Sequence, residues 1–348
     1  MNSGEPGQTG PGSHLATCRG KTVGVRIAGT GMSVPEKVLT NEELARIVDT
    51  SDEWISKRTG IKTRHKVEGS TTTRDLAREA LRDALQAAEL EASQLDQILL
   101  ATLTPTMTCP STAVQLAHEV GAAPAAGLDL SAACSGFVYA LNLATGLIES
   151  GRYRHVAVIG AETLSKITDW TDRRSCVLFG DGAGAAILSA SDDPNQGCIY
   201  QSMHSDGALW GELYLPREEK DLPKSQENFT GQFNTLQMNG REVYKFAVAK
   251  TQKMIDDALQ KTGINPNQLA MIIPHQSNKR ILESAREKLG LPPEKLYINI
   301  DRFGNTSAAS VPLCLHELLV ADRLKKGDLV LFLAIGGGMT WASNLWRI

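Results

Sequence analysis

The sequence lacks any hydrophobic run that would cross a membrane. No apolar stretch in its 348 residues approaches the roughly 18 residues that a transmembrane helix needs. The first 20 residues are also too polar to contain the apolar segment of a secretory signal. Their Gly, Pro and Ser content predicts a flexible leader over residues 1–22. We therefore expect a soluble protein of the cytoplasm.

Paired cysteines and a strong net charge are missing as well. The six cysteines are scattered and form no C-x-x-C pair, which favours reduced thiols over a disulfide framework. We expect no metal centre and no bound cofactor. Lys and Arg total 36 against 39 for Asp and Glu, and the net charge of −3 provides no basic field to indicate a nucleic-acid partner.

The composition that remains is typical of a globular protein with a large core. Hydrophobic residues make up 42% of the chain and charged residues 22%. At about 100–200 residues per domain, the length indicates two domains or one large duplicated domain. A core of that size is stable without disulfides or structural metals.

Hydrophobic periodicity predicts strands that alternate with helices, and their order occurs twice. Corresponding positions, such as Gly24 and Gly197, lie 172–174 residues apart throughout. The second set includes a predicted strand over Leu296–Ile300. We infer an internal duplication, with an N-terminal half over 23–192 and a C-terminal half over 197–348.

This alternation predicts an α/β fold with mostly parallel sheets that are covered on both faces. Two such halves pack most economically through facing helices, which gives five layers in the order α/β/α/β/α. Equivalent helices of the two halves then begin close to one central site.

Cys134 is the first candidate for chemistry. It follows a short predicted strand and stands among small residues at the start of an apolar helix. Backbone N–H groups and the helix dipole at such a position favour an anion, so we expect a thiol pKa below the usual value of about 8.5. The alternative is a buried cysteine that acts as a small hydrophobic side chain.

His275 and Asn305 are the other two candidates. His275 follows an apolar strand, at the sheet edge where open α/β folds bind their ligands, although a structural histidine would fit the same position. Asn305 lies between a strand and a helix, where an Asx-turn or helix cap is also possible. The duplication pairs Asn305 with position 133, so the Asn and the Cys are predicted to precede equivalent helices.

These residue types restrict the reaction. A serine-type triad needs a carboxylate behind its histidine. Asn305 and a suitably protonated His275 are instead neutral donors, which suits negative charge that develops on a thioester carbonyl. The run Gly336–Gly338 follows a predicted strand and can bring a backbone N–H beside Cys134 as an oxyanion donor, or simply form a tight turn.

Seven segments resemble one known family. They are TSDEWISKRTGIKTRH, CPSTA, AACSGF, FGDGAGAA, PHQSN, GNTSAAS and IGGGMTWAS. In combination they resemble beta-ketoacyl-acyl-carrier-protein synthase III, a condensing enzyme of the thiolase superfamily that starts fatty-acid synthesis. The resemblance extends from Val23 to Ile348, and it implies a thiolase-like fold and a homodimer.

The resemblance also implies roles for individual residues. Cys134 would take an acyl group from acyl-CoA, while His275 and Asn305 would hold a malonyl thioester on the acyl-carrier protein as CO2 leaves. The backbone N–H groups of Cys134 and Gly337 would form the oxyanion hole. Three further sets of positions match the family. Those for the CoA end are Trp54, Arg58 and Arg173, and those for the pantetheine tunnel are Gly240, Tyr244 and Asn278. Those for carrier-protein docking are Lys245, Lys279 and Arg280.

One position departs from the family pattern. The residue before Pro110 is often a Phe that reaches across the dimer to cap the acyl pocket, and here it is Cys109. The smaller side chain predicts room for a primer longer than acetyl.

Several other readings remain open at the level of sequence. A papain-like cysteine hydrolase also uses Cys, His and Asn in this chain order, but its C-G-S-C-W signature and a secretory segment are absent. A thiolase would need a second cysteine in the terminal glycine-rich loop, and the elongating synthases use a second His where this chain has Asn305. A specialised-metabolism homologue with another acyl acceptor keeps the same triad, whereas a noncatalytic acyl-binding protein would not need it.

Overall fold

The structure is a computed structural model and describes residues 23–224 and 229–348. The predicted leader, 1–22, lies outside the described residues. The elements up to the predicted seam are β1 Gly24–Ser33, β2 Val38–Thr40, α1 Asn41–Leu44, α2 Asp52–Thr59, β3 Thr63–His65, α3 Thr73–Ala88, β4 Gln97–Ala101, α4 Thr112–Val120, β5 Ala126–Leu130, α5 Gly136–Glu149, β6 His155–Glu162 and β7 Gly182–Ser191.

After the seam, the chain forms β8 Gly197–Ser205, β9 Leu213–Tyr214, β10 Gln237–Met238, α6 Gly240–Thr262, β11 Leu269–Pro274, α7 Lys279–Lys288, α8 Ile300–Phe303, α9 Ser310–Val320, β12 Leu329–Gly336 and β13 Thr340–Arg347. Three short 3-10 helices lie close to the candidate residues. They are Ala133–Ser135, Ser307–Ala309 and Gly337–Met339. The division into halves at 192 and 197 stays a prediction.

The two large sheets have the same strand order. The first is β1-β7-β6-β4-β5, and the second, read in the same direction, is β8-β13-β12-β11. The prediction of mostly parallel sheets is wrong. β4 is parallel to β5 and β6, and β11 is parallel to β12, but β7 and β13 are antiparallel to both of their neighbours. Only the three residues Gly337–Met339 separate β12 from β13, and so short a connection can join antiparallel strands but not parallel ones.

The predicted strand over Leu296–Ile300 is also wrong. At the position equivalent to β5, the second sheet has one isolated parallel bridge, between Ile272 and Leu296. The Gln276 side chain then takes over the backbone hydrogen bonds, because its Oε1 accepts from the N–H groups of Asn299 (3.0 Å) and Ile300 (3.2 Å). These bonds turn the chain into α8 instead of extending a strand.

The core is arranged in five layers. Helices α5 and α9 lie between the two sheets and are buried on most of their surface, in one cluster with Phe137 of α5, Leu315 of α9, Val158 of β6 and Phe332 of β12. Helices α3 and α4 cover the outer face of the first sheet. Helices α6 and α7 cover the outer face of the second. The predicted order α/β/α/β/α is therefore confirmed.

Close backbone contact brings the start of α9 against the first sheet. Gly160 lies in β6, and a Cβ added there would overlap the Ala308 carbonyl and lie 2.7 Å from its carbon. The absence of a side chain at Gly160 thus lets the 3-10 helix Ser307–Ala309 rest directly on the strand. This contact joins the segment before α9 to the half of the chain that contains Cys134.

We predict that Gly160→Ala destabilises the protein by about 1–3 kcal/mol, because the added methyl has no space. Gly146→Ala is the matched control, since a Cβ at this position of α5 meets nothing within 4 Å. It should stabilise the helix by about 0.5–1 kcal/mol. Denaturant unfolding at one protein concentration measures both. Equal midpoints for the two variants would contradict the close contact.

Candidate active site

Cys134 lies in the 3-10 helix that leads into α5, and it is 7% exposed. The Ser135 hydroxyl contacts the Ala132 carbonyl (2.7 Å) and the Thr340 hydroxyl (2.7 Å), which ties this turn to β13. Gly336 packs against the other side, where an added Cβ would lie 2.8 Å from the Cys134 nitrogen. The nucleophile candidate is therefore held between the two sheets by direct backbone contact.

The prediction of an acidic thiol is wrong for the protein without substrate. Burial, and to a smaller extent the nearby Glu162 carboxylate, raise the pKa of Cys134 to about 12. The Ser307 hydroxyl and the backbone N–H groups of Cys134 and Gly337 lower that pKa, but they offset only part of the increase. Desolvation outweighs the local donors because an unpaired thiolate in the core loses nearly all of its hydration.

His275 follows β11, and its backbone N–H bonds to the Leu333 carbonyl (2.7 Å). Its Nδ1 lies 2.7 Å from the Ser310 hydroxyl, which orients the ring and leaves Nε2 for a ligand. Burial lowers the pKa of His275 to about 3, so the imidazole is neutral at physiological pH.

Asn305 is held in place from both of its backbone groups. Its N–H donates to Leu178 (2.8 Å), and its carbonyl accepts from Gly180 (3.0 Å). The side-chain Oδ1 accepts from the Ser307 N–H at 2.9 Å. This bond identifies the amide orientation and leaves the Nδ2 hydrogens for a ligand.

The starts of α5 and α9 match each other, but with a different register from the predicted one. Ala133 and Ser307 both have left-handed backbone angles, with φ of 48° and 49°, and they are 174 residues apart. The structural counterpart of Cys134 is thus Ala308, and Asn305 corresponds to Ser131. The predicted pairing of Asn305 with position 133 is wrong by two residues, because a single average offset ignores small insertions.

Cys134, His275 and Asn305 line one cavity of about 130 Å³. Its other walls are mostly apolar, and its outer part includes Gly240, Tyr244 and Asn278, the residues predicted for a pantetheine tunnel. A second cavity, of about 450 Å³, shares Cys134 and Phe179 with the first and also includes Gly337. Its apolar lining includes Leu103, Leu164, Ile167, Trp210, Leu215 and Leu236.

The thiol therefore lies where two cavities of different character meet. The smaller cavity brings two polar side chains toward the sulfur, and the larger one provides an apolar chamber. Such a division suits a reaction in which an apolar acyl chain and a polar thioester meet at one sulfur.

Comparison with known proteins identifies the family. One family model, described as 3-oxoacyl-[acyl-carrier-protein (ACP)] synthase III, matches residues 128–207. A second model, described as the C terminal of the same synthase, matches residues 259–348. A curated relative from Caldanaerobacter subterraneus, named beta-ketoacyl-[acyl-carrier-protein] synthase III, is 47% identical over 92% of this chain and 96% of its own length. The chain belongs to the 3-oxoacyl-acyl-carrier-protein synthase III family.

Solved structures agree with this assignment. The 3-oxoacyl-acyl-carrier-protein synthase III of Aquifex aeolicus is 43% identical, covers 93% of this chain and 100% of its own, and superposes with a TM-score of 0.87. A priming beta-ketosynthase from the R1128 polyketide pathway is 33% identical over 94% of this chain and 97% of its own, with a TM-score of 0.86. The predicted family and its thiolase-like, duplicated α/β fold are confirmed.

At the outer end of the smaller cavity, this synthase has an aromatic ring with two guanidinium groups close to it. The Cζ atoms of Arg58 and Arg173 lie 5.7 and 5.0 Å from the centre of the Trp54 ring. Trp54 and Arg58 line an open cavity of about 450 Å³ at this entrance, whereas Arg173 bonds to Asp49 and the cavity is lined by Arg174 instead. The assignment of Trp54, Arg58 and Arg173 to the CoA end stays a prediction.

Other predicted contact residues are partly engaged within the protein. The Asn278 side chain donates to the Arg58 carbonyl (3.0 Å) and accepts from the Arg280 N–H (3.0 Å). Lys245 pairs with Glu242 at 2.7 Å, and Lys279 pairs with Glu283 at 3.6 Å. The predicted docking patch of Lys245, Lys279 and Arg280 is exposed, but acidic neighbours compensate two of its three charges.

Cys109 is exposed and does not line either cavity beside Cys134 within this chain. A role in the acyl pocket therefore requires a second copy of the chain. Met107 and Leu128, both more than 40% exposed, lie on the same side of the molecule, where they line a surface depression next to β5. The prediction for Cys109 stays untested.

Three polar residues of the site were not found from the sequence. They are Glu162, Ser307 and Ser310, and each of them is at least 99% buried. Each lies beside one of the predicted site residues or beside another of these three. Two signals in the sequence indicate them: a carboxylate that ends the apolar run HVAVIGAE, and serines two and five positions after Asn305.

Within the described ranges, no group of three His, Cys, Asp or Glu side chains is arranged to hold a metal ion. The helices of these ranges are also too short or too polar to cross a membrane.

We predict that the resting Cys134 thiol stays protonated over the physiological range. Because burial raises its pKa to about 12, the ultraviolet thiolate absorbance of the protein minus that of Cys134→Ser should stay flat from about pH 6 to about pH 9. A step centred below pH 8.5 would contradict this and restore the acidic thiol expected from the helix start alone.

Proposed function

We propose that this synthase condenses an acyl-CoA primer with malonyl-acyl-carrier protein and releases CoA and CO2. The product is a 3-oxoacyl-carrier protein that starts fatty-acid synthesis. The observation that carries the proposal is the meeting of Cys134, His275 and Asn305 in one cavity, with an apolar chamber on the other side of the sulfur. The names of the relatives support the same reaction.

In the first step the Cys134 sulfur attacks the primer carbonyl, and CoA leaves as its thiol. The acyl group remains on the sulfur as a thioester. The backbone N–H groups of Cys134 and Gly337 lower the pKa of this sulfur by hydrogen bonding, so they are close enough to donate to the thioester oxygen. The acyl chain then occupies the apolar chamber beyond Cys134.

In the second step, His275 and Asn305 bind the malonyl thioester carbonyl as CO2 leaves. Asn305 donates through Nδ2, since its Oδ1 is engaged by Ser307. Neutral His275 donates through Nε2 in the tautomer whose Nδ1 accepts from the Ser310 hydroxyl, which otherwise donates to the Ser307 carbonyl at 2.9 Å. Two donors in a buried cavity stabilise the enolate oxygen, and the enolate carbon attacks the acyl-cysteine and displaces Cys134.

The size of the apolar chamber favours a primer longer than acetyl. Its volume is about 450 Å³, whereas a water molecule occupies about 30 Å³ in the liquid. An acetyl group would leave most of this space empty. The exposed residues beside β5 further support a homodimer, in which Cys109 of one copy approaches the chamber of the other.

A specialised-metabolism homologue is the second candidate. The likeness to a polyketide priming ketosynthase and the large chamber both favour it. The acyl-cysteine step would be the same, but the acyl group would pass to another acceptor. In either case acyl-CoA is a substrate, no bound cofactor takes part, and the scattered cysteines favour the cytoplasm as the compartment.

We expect acyl-CoA to add one acyl group to the protein, and Cys134→Ala to abolish this adduct. Asn305→Ala should still form the adduct but lose about 100- to 1000-fold in condensation, because one enolate donor is removed. Intact-mass measurement with a panel of acyl-CoAs detects the adduct, and malonyl-acyl-carrier protein then reveals the product two carbons longer. Release of free acid without extension would instead indicate a hydrolase.

Cys109→Phe should narrow the range of primers toward acetyl, because a larger side chain would enter the chamber of the partner copy. Cys109→Ser, which keeps the side-chain size, is the control and should retain the original range. The rates of adduct formation across the acyl-CoA panel measure both variants. An unchanged chain-length profile in Cys109→Phe would count against the role of this position.

A further inference from the structure

The Arg64 guanidinium is a cation in the core that has no ion-pair partner. Arg64 lies in β3 and is 0% exposed, and the ion pairs found within 23–224 and 229–348 do not include it. Its hydrogen bonds go to three neutral acceptors, which are the Val177 carbonyl (2.8 Å), Asn41 Oδ1 (2.8 Å) and the Leu39 carbonyl (3.3 Å). An apolar side chain would fill a purely structural position at a lower free-energy cost, which makes Arg64 a candidate for function.

One of these acceptors begins the segment that holds Asn305. Val177 is followed by Leu178, whose carbonyl accepts from the Asn305 N–H (2.8 Å), and the Gly180 N–H donates to the Asn305 carbonyl (3.0 Å). The residue between these two forms an isolated parallel bridge with Asn305. The backbone of Asn305 is therefore fixed by the three residues that directly follow an acceptor of Arg64.

The stem of the Arg64 side chain packs against both of the paired segments. A Cβ added at Gly180 would lie 3.0 Å from Arg64 Cβ, and one added at Gly304, the residue before Asn305, would lie 3.1 Å from it. The two backbones can approach the stem this closely because neither glycine has a side chain. A substitution that keeps the stem and removes the guanidinium therefore removes hydrogen bonds and leaves this packing in place.

Strand β3 binds the same two segments on either side of Arg64. The Thr63 hydroxyl donates to the Arg302 carbonyl (2.9 Å), and the His65 carbonyl accepts from the Asp181 N–H (2.9 Å). Arg64 is the buried residue between these two contacts. The strand thus joins the loop that contains Asn305 to the segment of the first half that pairs with it.

The other side of the guanidinium is connected to helix α2. The side chain of Asn41, which accepts from Arg64, donates through Nδ2 to the Asp52 carboxylate (2.8 Å) and to the Ile61 carbonyl (2.8 Å). These two residues lie at the start of α2 and just beyond its end. This helix carries residues predicted for the CoA end, so one side chain connects the entrance of the cavity with the support of Asn305.

We propose that Arg64 is a positioning residue for the condensation step, which fixes the Asn305 amide where it meets the malonyl thioester. Arg64 lines neither cavity beside Cys134, so it acts through the backbone of Asn305 and does not contact substrate. The proposal rests on the proposed function, because it assigns Arg64 to the step in which Asn305 binds malonyl. Transfer of the primer to Cys134 does not use Asn305 and should depend little on Arg64.

The test measures the two steps separately in Arg64→Met, which keeps an unbranched apolar stem and removes the donors. Intact mass follows the acylation of Cys134 at saturating acyl-CoA, and then the conversion of the preformed adduct by malonyl-acyl-carrier protein. Condensation should be about 100-fold slower, as expected when a reacting group is displaced by about 1 Å, while acylation should stay within about threefold. An equal loss in both steps would overturn the proposal.

Arg64→Lys is the conservative variant. Its ammonium keeps the positive charge but lacks the planar fork that reaches Asn41 and Val177 at once. Condensation should therefore be slower than in the unmodified protein and faster than in Arg64→Met, with acylation again retained. This variant carries the same test should Arg64→Met fail to fold.

A double variant shows whether the effect passes through Asn305. If it does, Arg64→Met has little left to remove once Asn305 is Ala, and the double variant should condense about as slowly as Asn305→Ala alone. Slowing by the full factor of Arg64→Met on top of Asn305→Ala would show that the two residues act independently, and would overturn the proposal.

Leu81→Ala is the control for loss of stability alone. Leu81 is 0% exposed in α3, on the outer face of the first sheet, and its truncation leaves a cavity far from the Asn305 support. This variant should unfold at a lower denaturant concentration but keep the ratio of the two rates found in the unmodified protein. An unmodified protein that is acylated but gives no extended product would contradict the proposed function, and the role of Arg64 with it.

Discussion

The site depends on the desolvation of one sulfur. Cys134 lies at the start of a helix that is enclosed between two sheets, and burial opposes the charge that its backbone N–H donors favour. Under these conditions an ionised thiol is too costly to persist, so the proton must be lost during the reaction itself. The same dry environment strengthens each hydrogen bond that a bound thioester would receive.

This arrangement needs both halves of the chain. The Cys134 turn comes from the first half, whereas His275 and Asn305 come from the second, and the three residues line one cavity between the halves. The backbones of the two halves contact each other at Gly160 and Gly336. This contact is possible because a side chain at either position would push the halves apart. The repeated fold thus makes a site of unlike parts at the place where its two copies meet.

Short-range signals in the sequence set the ends of several helices. Thr40 and Glu43 form a capping box at α1, Gly121 follows α4 with a left-handed backbone, and Gly263 does the same after α6, because caps and glycine stops are encoded within a few residues. Leu296–Ile300 has the composition of a strand, yet the Gln276 side chain takes its hydrogen bonds. That competition comes from a residue about 20 positions away, which periodicity does not detect.

The sequence by itself determined the family, the duplication and the three polar residues, because motifs and a near-constant offset are properties of the linear order. Tertiary structure decided the charge state of those residues. The pKa of Cys134 rises instead of falling because solvation depends on everything packed around the sulfur, including residues from the other half. The mixed direction of the strands likewise follows from how distant segments pack.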